Sequence, residues 1–167
     1  MSTAPTDPPT EHTTDPAAGQ AIDPAAEVTA FFERYMAAFN AGDTEAFAAC
    51  FHPPVTVLPA PGAEEAGVGR TLPILTDPAS LLGQLPDYWA HSTVAALTPL
   101  GTVAPPPVDP DARTRRGPRL GVVATATRWD RDGRPYHRIQ ALYLLTRQDG
   151  ALGIKVISEL VSNLLPR

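Results

Sequence analysis

Three side chains in this sequence have residue types and positions suited to acid–base chemistry. Tyr35 belongs to an apolar helical stripe, so its ring is expected to point inward, where its hydroxyl needs a buried partner. His137 shares a predicted strand face with the small residue Ala141, and an imidazole there could act as a general base near neutral pH. Glu159 lies on the last predicted strand, where burial would suit it to act as an acid or base. Each also has a structural interpretation: a core tyrosine, an exposed histidine near a strand end, and a solvated or salt-bridged glutamate.

The sequence shows no ligand pattern for a metal or a cofactor. The histidines lack the spacing of metal ligands; they are His12, His52, His91 and His137. The single cysteine, Cys50, excludes an intramolecular disulfide and a cysteine-built metal site, and it is expected to be buried. Gly67 and Gly69 lack the helix and lysine of a phosphate loop. We therefore expect neither a metal nor a cofactor.

Length and charge favour one domain that binds neither nucleic acid nor a membrane. The 167 residues carry a formal charge of −5, spread thinly over 13 basic and 18 acidic side chains. Phosphate binding needs clustered Lys and Arg, which this sequence offers only in one short patch of arginines over 113–119. No apolar run approaches the roughly 18 to 20 residues of a membrane span, and the N-terminal segment lacks the pattern of a secretory signal. We expect a cytoplasmic protein.

The first ordered elements are predicted to be two helices. Asp23-Pro24 is a typical helix start, and apolar residues follow at helical spacing: Val28, Phe31, Phe32, Tyr35, Met36 and Phe39. Gly42 suits the end of this helix, and Asp43 can cap a second helix from Thr44 to about Phe51, which Pro53-Pro54 would end. Residues 1–22, rich in Pro and Thr, are expected to be a disordered tail.

The rest of the chain is predicted to be mostly strands. A short strand is expected over 55–58, and Asp77-Pro78 predicts a third helix that kinks or splits at Pro86. Four further strands are expected over 91–103, 119–129, 135–148 and 152–160. Asp132-Gly133 and Asp149-Gly150 are hairpin signals between the last three. The Pro- and Arg-rich stretch 104–118 is too long for a tight turn and is expected to be a flexible loop. Helices followed by a run of antiparallel strands predict an α+β domain.

This pattern resembles the nuclear transport factor 2-like superfamily, which includes ketosteroid isomerase and the SnoaL-like polyketide cyclases. The resemblance lies in 33–43 (ERYMAAFNAGD), in the helix-to-strand step over 51–58 and in the final hairpin 143–150 (YLLTRQDG). It implies a single α+β domain over 23–167, in which a curved antiparallel or mixed sheet wraps around the N-terminal helices as a cone-shaped barrel. It also implies a homodimer formed through the sheet.

The resemblance suggests site residues but no complete catalytic set. Tyr35 matches a tyrosine of ketosteroid isomerase that stabilises an oxyanion, yet the position of its carboxylate base falls at Pro59 and that of its protonated acid near 142–144, which has no carboxyl group. Glu159 lies about where the limonene-epoxide-hydrolase branch has one acid. Arg128 and Asp130 imitate the other pair in spacing but crowd the predicted turn. The cyclases use an Asp–His pair, of which His137 could supply the imidazole.

The resulting hypothesis is a SnoaL-like domain that holds an apolar or polycyclic small molecule in an apolar pocket. It could be a cyclase or isomerase of secondary metabolism that uses Tyr35, His137 and Glu159, or a non-catalytic binding or dimerisation module of the same fold. The expected ligand contacts are Phe32, Tyr35, Phe39, Leu58, Trp89, Ala141 and Tyr143.

Overall fold

The computed structural model describes residues 23–60, 74–103 and 119–166. The predicted tail over 1–22 and the predicted loop over 104–118 lie outside these ranges. All statements below concern the described residues.

Two capped helices open the fold, as the sequence predicts. Helix α1 spans Pro24–Ala41, and the Asp23 carboxylate accepts a hydrogen bond of 3.0 Å from the Ala25 N–H. Gly42 ends the helix in the left-handed conformation, φ 65°, which glycine adopts without steric cost. Asp43 caps helix α2, Thr44–Ala48, by accepting a hydrogen bond from the Ala46 N–H. Helix α2 is shorter than expected because strand β1, Phe51–Leu58, already begins at Phe51 and runs through Pro53-Pro54. Prolines are tolerated there because β1 is an edge strand.

The predicted third helix is a 3₁₀ helix, Pro78–Gln84, capped by the Asp77 carboxylate. It needs no kink at Pro86, since Leu85 already has extended geometry and ends the helix before the proline.

The remaining strands form one mixed sheet in the order β1-β5-β4-β3-β2. Their bounds are Trp89–Val103 for β2, Arg119–Asp130 for β3, Pro135–Gln148 for β4 and Ala151–Leu164 for β5. All neighbours pair antiparallel except β1 and β5, which are parallel. Both predicted hairpins are present, with Gly133 at φ 75° and Asp149-Gly150 at φ 48° and 84°.

One face of the sheet packs against α1, and we call it the inner face. The face of β4 that carries Ile139, Ala141 and Leu145 is buried against the helix, whereas Arg138 on the other face is exposed. Aromatic residues of α1 pack against this face and against α2, including Phe31, Phe32, Tyr35 and Phe39. The α+β class, with N-terminal helices on one face of a mixed sheet, is therefore confirmed. Among the described residues, no helix is long and apolar enough to cross a membrane.

Candidate functional site

A cavity of about 440 Å³ lies between α1, the 3₁₀ helix and the inner face of the sheet. Its sheet side is lined by three alanines, of which Ala124 and Ala141 are cross-strand partners and Ala126 is the partner of Ile139. Met36 and Phe39 of α1 also line it. The volume exists because methyl groups stand at sheet positions where larger side chains would fill the space below the helix.

Two tyrosines are hydrogen-bonded to each other in the cavity. The rings of Tyr35 on α1 and Tyr143 on β4 lie 6.2 Å apart, and both residues line the space. Burial raises the pKa of both phenols, that of Tyr35 to well above its usual value. The mutual hydrogen bond raises the pKa of Tyr35 and acts to lower that of Tyr143, which fits Tyr35 as donor and Tyr143 as acceptor. Both phenols therefore stay protonated at neutral pH, and the bond leaves the Tyr143 O–H proton for another acceptor.

Glu159 supplies a carboxylate to the same cavity. It lies on β5 as the cross-strand partner of Ala141, two pairs along from the Tyr143–Ile157 pair on the same face. Its negative charge acts to raise the pKa of Tyr143, so the two groups interact electrostatically. Among the described residues that line the cavity, it is the one carboxyl group.

His137 is buried and neutral at physiological pH. The residue is 5% exposed, and its Nε2 lies 2.8 Å from the Ser162 Oγ. Burial, followed by the positive charge of Arg128, lowers the imidazole pKa from 6.5 to about 4. This differs from the neutral-pH general base expected from the residue type. At neutral pH the ring can donate and accept hydrogen bonds, but it is a weak base.

Arg128 also faces the cavity, although its position near the turn had suggested otherwise. It is the cross-strand partner of Ser92 on β2 and of His137 on β4, and we call these three residues the Arg128 row. Its charge acts to lower the pKa of His137 and of both tyrosines. Asp130, by contrast, orders the turn: its Oδ1 accepts hydrogen bonds from the backbone N–H groups of Asp132 and Arg134.

Ser92 is fixed by a contact that sequence reasoning missed. The side-chain amide of Asn40, at the end of α1, donates to the Ser92 carbonyl at 2.9 Å and accepts from the Ser92 N–H at 2.8 Å. The indole N–H of Trp89 donates to the Ser92 Oγ at 3.3 Å. The residue that could have indicated this contact in the sequence is Asn40, within the stretch 33–43. Its side chain joins the helix to β2 and so positions the Arg128 row.

The expected ligand contacts divide into two groups. Tyr35, Phe39, Ala141 and Tyr143 line the cavity, together with Glu159 and His137. Three others do not belong to the lining. Phe32 is a core residue whose ring packs edge-on against that of Tyr143 at 5.1 Å, and Trp89 packs against the ring of Phe39 at 5.4 Å. Leu58 is 45% exposed, whereas its neighbours Val57 and Pro59 line the cavity, because alternate residues of an extended segment point to opposite faces.

The described residues contain no group of three or more His, Cys, Asp or Glu side chains that could hold a metal ion. The chemistry available in the cavity is that of four phenols, a carboxylate, a guanidinium, a neutral imidazole, an amide and hydroxyls; the phenols belong to Tyr35, Tyr88, Tyr136 and Tyr143.

Helices over the inner face of a mixed sheet, with a cavity between them, place the chain among α+β proteins that hold a pocket inside the fold. No protein-family profile and no curated protein sequence matches the chain. Solved structures do match.

A protein with a cystatin-like fold from Nostoc punctiforme is 11% identical, with 85% of this chain and 91% of that chain covered and a TM-score of 0.54. A protein of Novosphingobium aromaticivorans, provisionally assigned as a scytalone dehydratase, is 13% identical, with 86% and 88% covered and a TM-score of 0.52. A nuclear transport factor 2-like protein from Cytophaga hutchinsonii is 10% identical, with 84% and 99% covered and a TM-score of 0.50. The chain has the nuclear transport factor 2-like fold.

Proposed function

We propose that the protein binds an apolar or polycyclic carbonyl compound in the cavity and moves a proton at the carbon next to the carbonyl, as a cyclase or isomerase of secondary metabolism does. One observation carries this proposal: the Tyr35–Tyr143 pair and the Glu159 carboxylate line the same 440 Å³ cavity. A carbonyl oxygen and the carbon beside it need such groups, a donor for the oxygen and a base for the proton.

In this proposal each group has a role. The ligand carbonyl accepts a hydrogen bond from the Tyr143 O–H, which Tyr35 supports by donating to the Tyr143 oxygen. The Glu159 carboxylate removes a proton from the adjacent carbon, and the electron pair of the broken C–H bond moves onto the carbonyl oxygen as an enolate. Where a carbon–carbon double bond is conjugated with the enolate, return of the proton from Glu159 to the far carbon of that bond shifts the double bond and re-forms the carbonyl, which completes an isomerisation. Attack of the enolate carbon on a second carbonyl of the same molecule forms a carbon–carbon bond and an alkoxide instead, and the alkoxide takes the proton back from Glu159, which completes a cyclisation.

The surroundings of the pair favour the charged intermediate. The raised pKa values keep both phenols protonated, so they serve as hydrogen-bond donors across the physiological range. The charge of Arg128 also favours negative charge at the tyrosine pair, as its downward effect on both tyrosine pKa values indicates. Pro59 lines the cavity without offering an acid, so the base comes from β5 and not from the end of β1.

The test is proton exchange on a simple bicyclic ketone. 2-Tetralone in D₂O would be incubated with the protein, and loss of its proton signals next to the carbonyl followed by NMR. We expect faster exchange with the wild-type protein, a loss of about 100-fold or more with Glu159→Gln, and no change with Glu33→Gln, which makes the same chemical change at an exposed position of α1. Tyr143→Phe removes the oxygen donor and should lower the rate by a similar factor.

The same experiment decides between catalysis and binding alone. Tetralone that shifts the Tyr143 ring resonances without any Glu159-dependent exchange would contradict the catalytic role and indicate a non-catalytic binding module.

A homodimer remains the proposed assembly, and exposed apolar side chains on the outer face support it. Leu100 on β2 is 59% exposed and Leu160 on β5 is 42% exposed. Leu100 and Leu142 come together over Gly121 on this face. Sedimentation of the wild-type protein and of Leu160→Glu tests the assembly: a dimer that the variant weakens supports it, and a monomeric wild-type protein contradicts it.

A further inference from the structure

We infer that the ligand carries an anionic oxygen group, a carboxylate or an ionised phenol or enol, that pairs with Arg128 while its apolar body lies over the alanines. This rests on the proposed use of the cavity for a small molecule and adds the chemical class of that molecule. It concerns the part of the cavity that Arg128 lines.

The first argument is the state of the Arg128 guanidinium. It lines the cavity and is only partly exposed. The ion pairs among the described residues join Arg134 to Asp132 and Arg147 to Glu27, so Arg128 has no carboxylate partner within that part of the chain. A partly buried cation loses hydration that a counter-charge would replace. A ligand anion is such a counter-charge.

The second argument is the set of donors around the guanidinium. Ser92 Oγ accepts the Trp89 indole N–H, so its own hydroxyl proton can go to another acceptor. His137 can carry its proton on Nδ1 when the Ser162 hydroxyl donates to Nε2. The Arg128 row thus presents a planar, permanently charged fork flanked by two neutral donors, which is the arrangement that carboxylate and phenolate oxygens prefer.

The third argument is the spacing from the catalytic groups. The Arg128–His137 pair lies four residues along the sheet from the Ala124–Ala141 pair that faces Glu159, about 13 Å at the rise of a β-strand. Between them lie alanine and isoleucine side chains. This spacing is that of the backbone, and the guanidinium itself reaches near enough to Tyr35 and Tyr143 for its charge to act on their pKa values. A guanidinium next to alanine and isoleucine side chains fits a rigid acidic ring compound that presents its anion to Arg128.

The test compares two ligands of one shape. Binding of 2-naphthoate and of its neutral counterpart 2-naphthamide would be measured by calorimetry on the full chain at neutral pH, at low and high salt. We expect naphthoate to bind at least about tenfold more tightly, in keeping with a hydrogen-bonded charge pair, and this preference to shrink as salt is added. Arg128→Gln should abolish the preference. Arg138→Gln, which removes the same charge from the exposed face of β4, should leave it intact.

A second ligand separates the two anion sources. 4-Nitrophenol ionises near neutral pH, so its absorbance reports which form is bound. A preference for the ionised form that Arg128→Gln removes indicates a phenolate or enolate ligand, while a preference shown by naphthoate alone indicates a carboxylate.

Several results would overturn the inference. Equal affinities for naphthoate and naphthamide, a preference that survives Arg128→Gln, or the absence of any binding by the two anions would each do so. Should Arg128→Gln fail to fold, the salt dependence in the wild-type protein and the retained preference of Arg128→Lys decide the question. Exchange of 2-tetralone needs no anion, so Glu159-dependent exchange without an anion preference would refute this inference and leave the proposed function standing.

Discussion

Measuring the pKa of His137 is the most direct test of the burial and charge that the structure gives this side of the cavity. Burial and the nearby Arg128 hold its pKa at about 4, whereas in the unfolded chain an imidazole titrates near 6.5. The unfolded state therefore takes up the proton first as the pH falls, and the folded state loses stability between about pH 6.5 and pH 4. Well above pH 6.5 the residue is neutral in both states and contributes no pH dependence.

The size of the effect follows from the two pKa values. Their difference corresponds to about 3 kcal/mol of unfolding free energy, of which about 2 kcal/mol is lost between pH 7 and pH 5. Little of this is screened by solvent, because the residue is 5% exposed. His52, whose pKa is also lowered by burial, contributes with the same sign, so a variant is needed to isolate His137.

Two measurements check the expectation. Imidazole resonances followed by NMR from pH 8 to pH 3.5 give the midpoint directly, with His137→Gln to assign the signal. Urea unfolding at pH 7 and pH 5 should show that the wild-type protein loses about 2 kcal/mol more than His137→Gln does. Arg128→Gln should raise the midpoint, while Arg138→Gln on the outer face should not. A midpoint at 6 or above, or equal pH dependence in both proteins, would refute the burial argument and restore His137 as a base for neutral pH.

Three further variants test packing in the folded protein. Tyr35→Phe removes the hydrogen-bond donor to Tyr143, so we expect the free energy of unfolding in urea to fall by about 1 kcal/mol. Spectroscopic titration should show a further rise in the pKa of Tyr143, and an unchanged Tyr143 pKa would contradict the hydrogen bond. Gly153→Ala would place a methyl group 2.5 Å from the His52 ring and should lower the free energy of unfolding by about 1 to 3 kcal/mol. In Gly121→Ala the new methyl group meets its nearest atom at 3.5 Å, so the loss should be much smaller. Similar losses for both variants would show that the His52 ring moves aside freely.

The fold was predictable where local chemistry decides it. The caps at Asp23 and Asp43, the left-handed Gly42 and the two Asp-Gly hairpins act within a few residues, so their signals survive in the sequence. The boundary between α2 and β1 was misplaced because pairing with β5 extends the strand back to Phe51, and that contact is remote in sequence.

The site was only partly predictable. Strand alternation groups His137 with Ala141 and Tyr143, but it does not say which face meets the helix; the apolar stripe of α1 decides that in three dimensions. Because of the same ambiguity, Leu58 was predicted to contact the ligand, whereas its neighbour Val57 lines the cavity. Arg128 was missed as a cavity residue because its distance from the turn in sequence says nothing about the side to which it points.

The lining of the cavity suits the ligand that we propose. The cavity is partly open to solvent, so water can hydrate the Glu159 carboxylate and the Arg128 guanidinium, whereas the hydroxyls of Tyr35 and Tyr143 are buried. A ligand that returns a partner to each of these groups loses little by displacing that water, while its apolar body gains the alanine and aromatic surface that water cannot satisfy. In this proposal the small residues on the sheet and the charged residues that line the cavity act together to bind an amphipathic molecule.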